Sequence, residues 1–127
     1  MEQIQGELSE MQGYLELPFD PDSGGQLVVE RALELEQIIA RSGKLVADAG
    51  YHLDNFLGGE IVRTIKEALN ESKWPPSITS KKIDAMARDY NFVCKWADRV
   101  NRTSTHSHQF CITLISKLKE EMKMNKF

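Results

Sequence analysis

Between residues 28 and 56 the apolar and small side chains fall at Val28, Ala32, Leu35, Ile39, Ser42, Val46, Ala49, Leu53 and Phe56. Their steps alternate four and three without a slip, the spacing of one helical face written as a heptad seam. A second series starts at Ile83 and passes through Ala87, Tyr90, Cys94, Ala97, Asn101, Ser104, His108, Cys111, Ile115, Leu118 and Met122 in the same rhythm. No segment alternates with period two, the mark of a half-buried strand. All four prolines sit in two short stretches, "PFDPDSGG" (18–25) and "KWPPS" (73–77). Proline has no N–H to donate and disfavours helix in the residue before it, so these stretches read as loops.

The pattern predicts an all-α protein: a long antiparallel helical hairpin with a coiled-coil-like seam and a short N-terminal helix. Within one domain spanning 1–127, the expected parts are a short acidic helix over 1–17, a loop over 18–25 and a long helix over 26–72. A loop over 73–79 and a second long helix over 80–123 complete it. Gly58–Gly59 marks a weak point in the first long helix, beyond which Ile61, Ile65, Ala68 and Leu69 resume on a shifted face. Ser77, Thr79 or Ser80 offers an N-cap for the second. Two periodic segments of similar length joined by a short loop pair most simply with each other. The seam is long and polar at its centre, so oligomerisation is expected to complete the bundle.

Composition narrows the class. A 127-residue chain with 41% hydrophobic and 28% charged residues can bury one core and is not of disordered composition. No stretch approaches the roughly 20 apolar residues of a membrane helix. The opening "MEQIQGELSEM" is acidic, with neither basic region nor apolar core, so no secretory signal is expected and the expected address is cytoplasmic. Cys94 and Cys111 are then reduced thiols. Charge is unevenly spread: residues 1–40 hold nine acids and one base, Arg31, whereas residues 73–127 hold eleven bases and five acids. Such a split either pairs internally or presents the basic end to an anionic partner.

The stretch "VNRTSTHSHQFC" (100–111) concentrates candidate chemistry. Asn101, Ser104 and His108 occupy inward seam positions where Leu or Ile would be usual, and buried polar groups destabilise unless they are paired. In one reading this polar centre fixes register, partner or oligomer state, as a buried Asn does in coiled coils. A second reading makes His108 and Cys111, which share a face at i, i+3, part of a metal site. Two ligands are too few for zinc, and Cys94 joins them only if the helix breaks near Arg102–Ser107. A third reading is catalytic. The spacing of Arg102 and His108 resembles the Arg-x4-6-His motif of the HEPN family of all-α ribonucleases, which implies a ribonuclease activity carried by those two residues. Here Thr103 follows the arginine where that family usually has Asn, Asp or His. On one straight helix the two side chains diverge by about 120° of azimuth, so they meet only through oligomerisation.

Other constellations are missing. "SGG" and "LGGE" lack the Lys-Ser/Thr that completes a phosphate loop. Asp20 and Asp22 lack the rest of a calcium-loop pattern. His52 stands alone on the first long helix. No cofactor, metal or catalytic group is therefore expected.

The outward side of the second helix is more informative. Lys81, Arg88, Lys95 and Arg102 recur every seven residues, with Arg99 beside them, and Phe92, Trp96 and Phe110 also point away from the seam. Large aromatic rings on an outer face mark a contact surface. Either a third helix or another subunit covers the rings, or the face binds a single nucleic-acid strand, with phosphates on the cations and bases stacked on Phe92 or Trp96. For the first case, Ile4, Leu8 and Met11 supply an amphipathic covering helix, whose Glu2, Glu7, Glu10 and Glu16 are expected to face the cations. The sequence thus points to a non-enzymatic, self-associating adaptor with itself and an unidentified protein as partners. The alternative is a single-strand-binding accessory protein of phage or mobile-element type.

Overall fold

The computed structural model describes residues 1–71 and 76–124. Helix α1 spans Glu2–Leu15, α2 spans Gly25–Glu71 and α3 spans Pro76–Met124. At 1.5 Å per residue, α2 and α3 are each about 70 Å long and α1 about 21 Å. Helices α2 and α3 run antiparallel: Glu36 meets His108, Ser42 meets Asn101, and Phe56 stacks on Tyr90 with ring centroids 4.5 Å apart. The protein is the all-α helical hairpin that the two seams predict.

Where helices start and stop follows local chemistry. Leu17 N–H bonds back to the Tyr14 carbonyl and closes α1. Asp20 then organises the turn, accepting from Asp22 N–H on its side chain and from Ser23 N–H on its carbonyl. Gly24 adopts φ +112°, a left-handed conformation that L side chains avoid, and its carbonyl accepts the Val28 N–H that opens α2. Helix α3 begins at Pro76, whose fixed φ and missing N–H suit a first helical position. Residues 76–79 are thus helical rather than loop. Ser77, Thr79 and Ser80 lie within the helix, not at its N-cap position. Residues 73–75 of the expected loop, including Trp74, lie outside the described residues.

Both stretches of weak helix formers are helical. Helix α2 is continuous through Gly58–Gly59, because a helical glycine costs only about 1 kcal/mol relative to alanine and the flanking turns carry it. Helix α3 is likewise unbroken through Arg102–Ser107. There Ser104 and Thr105 hydroxyls donate to the carbonyls four residues back, at Val100 and Asn101, so these residue types bond within the helix instead of ending it.

Two apolar clusters hold the hairpin. One joins Val28, Ala32 and Leu35 of α2 to Cys111 of α3, with Tyr14, Leu15 and Phe19 packed at its edge. The other is three-layered: Ile4, Leu8 and Met11 of α1 meet Ile38 and Leu45 of α2 and Val93, Ala97 and Val100 of α3. Helix α1 therefore fills one groove of the hairpin over part of its length. Met122, counted in the second seam, is 65% exposed. It lies one turn beyond the stretch of α3 that α2 covers.

Candidate interaction site

The polar centre of the seam is bonded across the hairpin. Asn101 Nδ2 donates both hydrogens to α2, one to the Ile39 carbonyl at 3.1 Å and one to Ser42 Oγ at 3.0 Å. Ser42 in turn donates to Ile39 at 3.2 Å, and the Ser104 hydroxyl is satisfied by Val100 at 2.7 Å. His108 Nε2 lies 3.2 Å from Glu36 Oε1, nearer the edge. Ser42 and Ser104 are fully buried, so each of these bonds replaces lost hydration. A polar layer bonded in this way favours the register that pairs Asn101 with Ser42, since a slip would leave Asn101 donors unpaired.

The other chemistry proposed for this stretch is not assembled within the chain. On an unbroken helix Cys94 and Cys111 stand about 25 Å apart at 1.5 Å per residue. Among the described residues no three His, Cys, Asp or Glu side chains come together as a metal-binding group. Burial raises the thiol pKa of both cysteines. The Asp54 carboxylate adds to the rise at Cys94, and the Arg31 guanidinium opposes it at Cys111. Arg102 pairs with Asp98 one turn back, at 3.0 Å on the exposed side, while His108 faces α2. His52 is exposed and touches the Tyr51 ring edge-on.

The outward face of α3 divides in two. Trp96 is partly covered by α1, and its indole N–H donates to Gln12 Oε1 at 2.6 Å. Gln12 spends its own amide hydrogen on Glu16 at 2.9 Å. Phe92 leans toward Trp96, with ring centroids 6.0 Å apart, but stays 58% exposed, and Phe110 is 50% exposed. Around Phe92 lie Lys81, Arg88 and Lys95, lining a shallow cleft of about 650 Å³ with Asp84. Among the described residues none of these three cations forms an ion pair. The acids of α1 do not cross to them as expected. Glu7 and Glu10 both reach Arg41 of α2, at 3.6 and 3.8 Å, because that flank of α1 faces α2 once its apolar side is buried. Glu16 lines a small cleft together with Arg99, beside the stripe.

A second feature is invisible in the seams. The Arg31 guanidinium sits over the Tyr14 ring at 4.5 Å and the Phe19 ring at 5.4 Å, tying α1, the turn and α2 together. Beside it opens a cleft of about 730 Å³, walled by Pro18, Leu27 and Leu33 and rimmed by Asp20, Glu30 and Glu34. Leu27 and Leu33 are about half exposed. Their signal was present as leucines at outward positions of α2, the same anomaly that singles out Phe92.

Compared with known proteins, the chain matches no family model, no curated protein and no solved structure. Among the described residues no helix is long and apolar enough to cross a membrane.

Proposed function

We propose that this chain is a non-enzymatic, cytoplasmic helical adaptor that self-associates and acts through protein–protein contacts. The supporting observation is the set of large apolar side chains held outward on long helices, Leu27 and Leu33 on α2 and Phe92 and Phe110 on α3. Apolar surface of this kind, framed by charge, suits a protein contact. Trp96 shows how such a ring is covered here: a short amphipathic helix lies over it and supplies one hydrogen-bond acceptor. The candidate reactive groups meanwhile have structural partners, with Asn101 on Ser42, Arg102 on Asp98 and His108 on Glu36.

Sedimentation velocity and light scattering test this reading, with an oligomer expected at micromolar concentration. A monomeric mass at every concentration, with Phe92 accessible to quenchers, would sink it.

The second reading is binding of single-stranded nucleic acid by the row Lys81, Arg88, Lys95 and Arg102 with Phe92 as its exposed ring. Coverage of Trp96 by α1 removes one of the two stacking rings, and the chain is acidic overall. Titration with single-stranded DNA and RNA at rising salt decides it, since phosphate contacts require a steep fall in affinity.

A further inference from the structure

The clefts of about 730 and 650 Å³ are opposites. The one on α3 presents an exposed ring, Phe92, between Arg88 and Lys95, with Lys81 two turns further on and Asp84 its one acid. The one beside α2 presents an apolar hollow between Leu27 and Leu33, with carboxylates of Asp20, Glu30 and Glu34 on its rim. Arg31, the one base in that hollow, is already engaged by the rings of Tyr14 and Phe19. An exposed aromatic flanked by cations thus has its complement in an apolar hollow flanked by acids.

These surfaces cannot meet within one chain. The hollow lies level with Glu36, which touches His108, and Phe92 is sixteen residues before His108 on the same straight helix. At 1.5 Å per residue that places the ring about 24 Å away along the axis. Nor are the charges spent elsewhere. Glu30 accepts a long bond of 3.4 Å from Gln26, and among the described residues Glu34, Arg88 and Lys95 form no ion pair.

We propose that the occupant of the acidic hollow is a second copy of this chain, entering with the Phe92 face of α3. Phe92 seats between Leu27 and Leu33, while Arg88 and Lys95 pair with Glu30 and Glu34. The inference deepens the self-association reading and rests on it. The contact joins two different patches, so it is heterologous: an open assembly keeps a free Phe92 face at one end and a free hollow at the other. Copies add in a staggered series until a ring closes or the supply is exhausted.

The test is a charge exchange read by sedimentation velocity at low salt and at about 0.5 M salt, where the Debye length falls below about 5 Å. Arg88→Glu with Lys95→Glu, and separately Glu30→Lys with Glu34→Lys, should each weaken assembly at least about tenfold. All positions are exposed, so circular dichroism should show both variants as helical as the parent. The chain carrying all four reversals should assemble again, because opposite charges are restored across the contact. In the wild type, mean mass should climb past the dimer with concentration and fall at high salt. Wild-type assembly that survives both double variants, or a fourfold variant that stays dissociated, overturns this contact while leaving self-association standing. A wild type monomeric throughout removes both. An Arg88→Glu, Lys95→Glu variant that loses single-strand binding yet assembles normally assigns the Phe92 face to nucleic acid instead.

Discussion

Trp96 carries the argument at the residue scale, because its position says whether the outer face of α3 is a stacking platform or a packed contact. Its ring lies against α1 and its N–H is spent on Gln12. Trp96→Ala should therefore lower unfolding stability by about 2–3 kcal/mol, somewhat less than the 3–5 kcal/mol of a fully buried ring. Chemical denaturation reads the loss, and faster amide exchange over residues 1–15 should accompany it. An unchanged midpoint would mean that α1 does not depend on this side chain. The cysteines give a second residue-scale expectation. Burial favours the protonated thiol at both sites, with Asp54 adding to the effect at Cys94. As pH rises past the ordinary thiol pKa of about 8.5, the unfolded chain ionises before the folded one. The thiols' contribution is therefore complete below that pH and is lost as pH rises toward the raised folded values. Native thiols should also react with a disulfide reagent more slowly than in denaturant, and Cys94→Ser with Cys111→Ser should flatten the alkaline decline. Sequence spacing alone put Asn101, Ser104 and His108 at inward positions. It could not say that Asn101 reaches Ser42, since that depends on the axial offset between two helices.

At the scale of elements, periodicity was a good guide and composition a poor one. The repeats of four and three located both long helices, because burying one stripe along a helix outweighs the preference of any single residue. Gly58–Gly59 read as a weak point, and "RTSTHS" left a break open, because their residue types are weak helix formers. The local cost is about 1 kcal/mol per glycine, too little to end a helix. Both glycines are helical, and an added Cβ would meet no atom within 4 Å at either one. Gly58→Ala and Gly59→Ala should each stabilise the protein by about 0.5–1 kcal/mol. Thermal melting checks this, and a lowered melting temperature would show that the pair serves as a bend. The docking site of α1 was also written in the chain, as a second apolar stripe one residue ahead of the seam. Ile38 and Leu45 precede Ile39 and Val46, while Val93 and Val100 precede Cys94 and Asn101. All four leading residues pack in the cluster that holds α1. A single-seam reading misses this, because a two-helix hairpin needs only one stripe.

Across the whole molecule, those doubled stripes make the fold asymmetric, and charge follows the asymmetry. Helix α1 fills one groove along roughly a third of the hairpin, and its Glu7 and Glu10 pair with Arg41 of α2. The basic stripe of α3 is consequently left facing out, which the charge split announced without saying where the acids would go. Helix α1 thus acts as a partial lid on an apolar groove, with Leu8 and Met11 almost wholly buried beneath it. Removing residues 1–17 would uncover Ile38, Leu45, Val93 and Val100 along with the inner edge of Trp96. At about 25 cal/mol per Å² of apolar surface, a stripe of that extent is too costly to leave in water. The truncated chain should keep most of its helical signal, since α2 and α3 retain their shared seam and the Asn101–Ser42 bonds. It should also bind a hydrophobic dye and sediment as a larger species than the full chain at equal concentration. Adding the 1–17 peptide in excess should reverse both changes, with Leu8→Asp in the peptide abolishing the rescue. A truncated chain that stays dye-negative and unchanged in mass would show that the groove closes on itself and that α1 is dispensable to the surface the molecule presents.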